Sequence, residues 1–189
     1  MKTKQIYILF SDTGTLLSKL IKWYTKKPLN HTSLVLDPDL QLVYSFGRKF
    51  QNNPLQGGFV KENMHGELFV NSETPTPCAL YSCSVHPAVY ERVKQQLLDM
   101  ENNQHKYTYN LIGLFTLIFK IHFAPKNSYF CSQFIAAVLA QNGMQLVNKP
   151  SEFVTPGDLA ESSLVSCIYE GNLQEYLSNL KRQTSGRIA

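Results

Sequence analysis

The sequence predicts an α+β domain in which a small antiparallel sheet packs against helices. Three observations carry this. Strand-like and helix-like segments are intermixed without a βαβ alternation. Two neighbouring β-rich runs, His31–Leu36 and Gln41–Phe46, are joined by the turn chemistry of Asp37-Pro38-Asp39. The composition is globular, 43% apolar and 17% charged, which excludes a mostly disordered chain. At roughly 150 residues per domain, 189 residues make one domain. We set it at residues 1–180, with 181–189 as a flexible tail. A chain of this size folds without metal or disulfide staples.

The elements follow in order. Gln5–Phe10 (QIYILF) reads as a buried strand. In Thr15–Lys26, Leu16, Leu17, Leu20, Ile21 and Tyr24 share one helical face, Lys19, Lys22 and Lys26 the other, and Pro28 ends the helix. The hairpin comes next. Gly47 to Glu67, with Pro54 and Gly57-Gly58, reads as loop; Leu68–Val70 and Ala79–Val85 read as further strands. Pro87 opens a helix whose apolar stripe is Tyr90, Val93, Leu97 and Met100. Tyr107–Phe123 is apolar and partly helical. Ser128 is placed to cap a helix over Tyr129–Asn142, with Gly143 at its C′ position. Thr155-Pro156 starts a short helix, Val165–Tyr169 is a last strand, and Leu173, Tyr176, Leu177 and Leu180 mark a terminal helix.

Several functions are disfavoured. The net charge of +4 is mild and no aromatic-interleaved basic patch occurs, so nucleic acid is not expected as a partner. Cys78, Cys83, Cys131 and Cys167 have neither CxxC spacing nor a nearby His, so neither a metal nor another cofactor is expected. Gly47-Arg48-Lys49 and Gly57-Gly58 form no phosphate-binding motif. Met1–Gln5 runs directly into the first strand, and with four unpaired thiols this gives a cytoplasmic expectation. Leu111–Phe123, interrupted by Lys120 and His122, is too short to span a bilayer.

The candidate chemistry lies at Cys131 and His31. A thiol in the first turn of a helix feels the positive end of the macrodipole, which favours thiolate. Position alone leaves two readings open for Cys131: a nucleophile, or a buried small hydrophobe. His31 opens a strand and can project toward a neighbouring helix as base and ion-pair partner, or it can be an ordinary hydrogen-bonded histidine. The third group is sought across the hairpin. A three-residue loop makes position i face 76 − i, which sets His31 opposite Ser45 and gathers Leu34, Leu36, Leu42, Tyr44 and Phe46 on the other face. Asp37 lies near the turn, about 20 Å away. The remaining histidines, His65, His86, His105 and His122, sit in loops or at helix ends.

Together, "NHTSLVLD", "LVYSFGR", "YTYNLIGL", "CSQFIAAVLAQNG" and "VTPGDLA" resemble the circularly permuted papain-like NlpC superfamily, which includes YiiX-like bacterial proteins and the lecithin retinol acyltransferase-like enzymes. His31 precedes Cys131, the permuted order, and the likeness extends loosely over residues 5–170. The resemblance implies a permuted papain-like fold with Cys131 as nucleophile, His31 as base and Ser45 at the third position. A carboxylate, amide or second histidine is more usual there, since a hydroxyl supplies no charge to stabilise imidazolium. The implied activity is that of a cysteine hydrolase, peptidase or acyltransferase forming an acyl-thioester on a peptide, amide or lipid-ester substrate. The competing expectation is a non-catalytic binding module of the same fold, with peripheral membrane contact through the Thr15–Lys26 helix.

Overall fold

The computed structural model describes residues 2–12, 28–48, 57–66, 74–119 and 121–185. The expected Thr15–Lys26 helix and Leu68–Val70 strand lie outside them. At the centre runs β1 (Lys4–Ser11), whose apolar run is buried on both faces. β2 (His31–Val35) and β5 (Pro77–Val85) flank it. β3 (Val43–Arg48) and β4 (Gly57–Glu62) extend the sheet beyond β2, and β8 (Ser166–Asn172) closes the far edge. The order is β4-β3-β2-β1-β5-β8, and every pairing is antiparallel. A two-stranded parallel ladder, β6 (Thr108–Tyr109) with β7 (Ser128–Tyr129), stands apart.

The period-two alternation of the strands divides the core between two faces. Ile6, Ile8, Phe10, Leu34, Tyr44 and Phe46 pack against α1 (Pro87–Asn102) through Val93 and Leu97, and against α3 (Cys131–Gln141) through Phe134, Ile135 and Val138. Leu9, Val35, Val43 and Leu80 pack on the opposite face against Leu173 and Leu177 of α5 (Leu173–Ser185). A third cluster joins Leu114 and Leu117 of α2 (Leu111–Ile118) to Phe130. The short α4 (Pro156–Ala160) starts as expected, with Thr155 and Asp158 forming a reciprocal cap. No described helix is long and apolar enough to cross a membrane.

The structure corrects five expectations. The hairpin loop has five residues, because the Asp37 carboxylate accepts the N–H groups of Gln41 and Leu42 (3.0 and 2.7 Å) and Leu40 adopts φ +55°. Leu34 therefore faces Tyr44 and Val35 faces Val43, a shift of two residues. An even shift keeps every side chain on its expected face, so apolar segregation does not distinguish the two registers. Within the expected Gly47–Glu67 loop, Gly57–Glu62 is a strand paired with β3. Ser128 lies in β7 instead of capping α3; the N-cap is Phe130, and Cys131 is the first helical residue. Cys167, expected to pack, is exposed on the edge strand. α5 continues to Ser185, into the stretch read as a tail.

Candidate active site

Cys131 is placed by an apolar helix with a polar anchor at its start. Phe134, Ile135, Val138 and Leu139 fix α3 to the sheet. Phe130 has no polar side chain with which to cap it. Buried Gln133 substitutes: its Oε1 accepts the Phe130 N–H and an Asn110 Nδ2 hydrogen, both at 3.3 Å. Asn110 in turn caps α2 by accepting the Gly113 N–H at 2.8 Å. The Ser132 hydroxyl donates to the Val154 carbonyl at 2.7 Å. The first turn of α3 is thereby held from both sides, and the Cys131 side chain is buried.

His31 opens β2, where it pairs with Ser11 of β1. Its Nε2 lies 3.1 Å from Glu62 Oε1. The Ser33 hydroxyl donates to the same carboxylate oxygen at 2.9 Å, and the Ser45 hydroxyl also hydrogen-bonds Glu62. The Cys131 sulfur hydrogen-bonds the His31 ring and Thr32. Because Nε2 faces Glu62, Nδ1 is the ring nitrogen left for sulfur. Glycines make room for this arrangement: a Cβ on Gly47 would sit 3.9 Å from His31 Cε1, and one on Gly57 would sit 2.7 Å from Tyr109 Cβ and 2.9 Å from the Gly47 carbonyl oxygen.

Electrostatics sort the groups. Burial opposes charge on the His31 ring, but the contacts with Cys131 and then Glu62 outweigh it and lift the pKa to about 10. Burial likewise favours the neutral thiol at Cys131, yet His31 and Thr32 bring that pKa below its ordinary value. Burial would also raise Glu62, but hydrogen bonds from His31, Ser45 and Ser33 hold it low. The consistent state is thiolate, imidazolium and carboxylate in a row. Buried Cys78 and Cys83 have no such partner, and burial pushes them up to about 12 and about 11. Tyr109 is raised well above its ordinary value, by burial and then by the negative charge at Cys131.

Of the sequence-derived residues, His31 and Cys131 meet. Ser45 does not face His31: the hairpin register carries it toward Ser33, and its hydroxyl supports Glu62 instead. Glu62 escaped the sequence reading because Gly57-Gly58 signalled a loop. The one available signal was the apolar pair Phe59-Val60 directly after it, which suits a buried strand. Among the described residues, no group of three His, Cys, Asp or Glu side chains could hold a metal ion. No protein-family model matches the chain, and no curated protein matches it in sequence.

Proposed function

We propose that the chain is a cysteine hydrolase or acyltransferase of the circularly permuted papain-like kind, acting on an amide or ester carbonyl. The observation that carries this is the buried thiol held by an imidazole whose other nitrogen is held by a carboxylate. Thiolate attack on the carbonyl carbon forms a C–S bond and an oxyanion. Backbone N–H groups at the start of α3 are the donors suited to that oxyanion, since first-turn amides have no partner within the helix. The His31 imidazolium gives its proton to the departing amine or alkoxide, leaving an acyl-thioester on Cys131. Neutral His31 then takes a proton from water or another acceptor, which attacks the thioester and frees the thiolate. Glu62 keeps the ring oriented and its cation stable through both halves, the task for which a serine alone is weak. With Glu62 present, the motive for a non-catalytic module is gone.

The test is labelling by a thiol-directed acyl probe. The wild type and a Cys167→Ala control, which removes the exposed thiol, should label equally. Cys131→Ala should lose the label, and His31→Ala should slow it about 10²–10⁴-fold. Undiminished labelling of Cys131→Ala would overturn the assignment.

A further inference from the structure

Between β6 and β7 the chain makes an excursion that returns directly to Cys131. Its base is the parallel ladder, Thr108 beside Ser128 and Tyr109 beside Tyr129. Its inner side is secured: Leu114 and Leu117 pack on Phe130, and Asn110 reaches Gln133. Its outer side is not. Ile112 is 62% exposed, Phe119 72%, Ile121 56% and Phe123 36%. The turn after α2 produces this: the Ile121 N–H reaches back to the Thr116 carbonyl at 2.9 Å, leaving the side chains on either side of residue 120 outside. Four large apolar side chains exposed within twelve residues exceed the scattered single exposures normal for a soluble surface.

The charge around this patch has one sign. No Asp or Glu occurs in the sequence between Glu101 and Glu152, while Lys106, Lys120, Lys126 and Lys149 all do. Glu152, which ends the run, is buried and paired with His122. Lys106 and Lys126 are both exposed, and each precedes its ladder strand by two residues, so they stand side by side at the foot of the excursion. Exposed Phe and Ile rimmed by lysine, with no exposed carboxylate, match a bilayer interface with anionic headgroups.

We propose that this excursion docks the protein on an anionic lipid surface. Phe119, Ile121 and Phe123 enter the headgroup–acyl boundary, and Lys106 and Lys126 meet the headgroups. The segment is distinct from the Thr15–Lys26 stretch. Since β7 leads into α3, docking brings the lipid surface beside Cys131. The proposal stands whether or not Cys131 turns over a substrate.

The experiment is co-sedimentation of the full chain with vesicles of phosphatidylcholine, with and without phosphatidylserine. The wild type should bind the phosphatidylserine vesicles and be released by salt. Replacing Phe119, Ile121 and Phe123 together by Ser should lower the bound fraction by at least about tenfold with an unchanged melting temperature, because the three side chains are already exposed. Lys106→Glu with Lys126→Glu should remove the preference for phosphatidylserine. Three outcomes overturn the proposal. In one, the wild type does not bind, or the triple variant binds as well as wild type. In another, binding is lost only with Lys19→Glu and Lys22→Glu, which makes the Thr15–Lys26 stretch the anchor. In the third, sedimentation equilibrium shows the triple variant dissociating a dimer while vesicles go unbound, which makes a second copy the occupant.

Discussion

A buried thiol beside a buried imidazole can share one proton in two ways, and Glu62 decides between them. Its carboxylate, 3.1 Å from His31 Nε2, makes the ring the better place for the proton. Glu62→Gln keeps the shape and removes the charge. His31 then holds its proton less tightly, and the Cys131 thiol moves up toward its ordinary value of 9.0. Each unit of that rise leaves roughly tenfold less thiolate at neutral pH. Iodoacetamide rates followed against pH in a Cys167→Ala background should therefore fall at least about tenfold near neutrality in Glu62→Gln. Ser45→Ala should slow them much less, because Ser45 acts through Glu62; the reverse ranking would make Ser45 the orienting group. Stability carries the same signature. Glu62 is depressed from 4.5, so its contribution is full above that pH and is lost as pH falls through the lower native value. His31 is raised from 6.5 to about 10, so its contribution is full below 6.5 and is lost as pH rises to about 10. The melting-temperature gap between wild type and Glu62→Gln should be widest between pH 4.5 and 6.5 and narrow on both sides.

Among the elements, β4 is where sequence and structure part. Its opening glycines are a requirement of close approach, not of a turn. A Cβ at Gly57 meets the Tyr109 Cβ and the Gly47 carbonyl, both near the main chain and unable to swing away. Gly57→Ala should cost about 1–3 kcal/mol in a urea titration. It should also slow Cys131 alkylation, since Tyr109 belongs to the ladder that leads into α3; a neutral result would place the strand farther from β6. The hairpin register was missed for a related reason. Binary patterning fixes which face a residue occupies, and Asp37, by accepting two backbone N–H groups, fixes how far the strands slide. What could be read were the periodic features: the stripe of α1, the Thr155 cap, and Gly143, which adopts φ +87° behind α3. His31 and Cys131 were legible because each opens its element. Glu62 ends its strand in a segment that glycine disguised, and only tertiary pairing brings it back to His31.

Across the molecule, the sheet separates two layers with different duties. The α1 and α3 layer carries the nucleophile, and the α5 layer closes the other face without contributing a member of the triad. Stability and thiol chemistry should therefore be separable by the choice of layer. Phe134 lies one turn beyond Cys131, wholly buried, with its ring centroid 5.1 Å from that of Phe46 and 5.8 Å from that of Phe59. Removing it leaves a cavity under the helix that aims the sulfur at His31. Phe134→Ala should cost about 3–5 kcal/mol and also raise the pH midpoint of Cys131 alkylation, because α3 settles into the void and the sulfur leaves the imidazole. Leu177 of α5 is 2% exposed and packs among Leu9, Val35 and Leu80. Leu177→Ala should cost about 2–5 kcal/mol while the alkylation midpoint stays where it is in the wild type. Urea titration and the alkylation profile, run on both variants, check the division. Equal shifts of the midpoint in both would mean that the sheet passes strain from one face to the other, and the two layers would then have to be treated as one catalytic body.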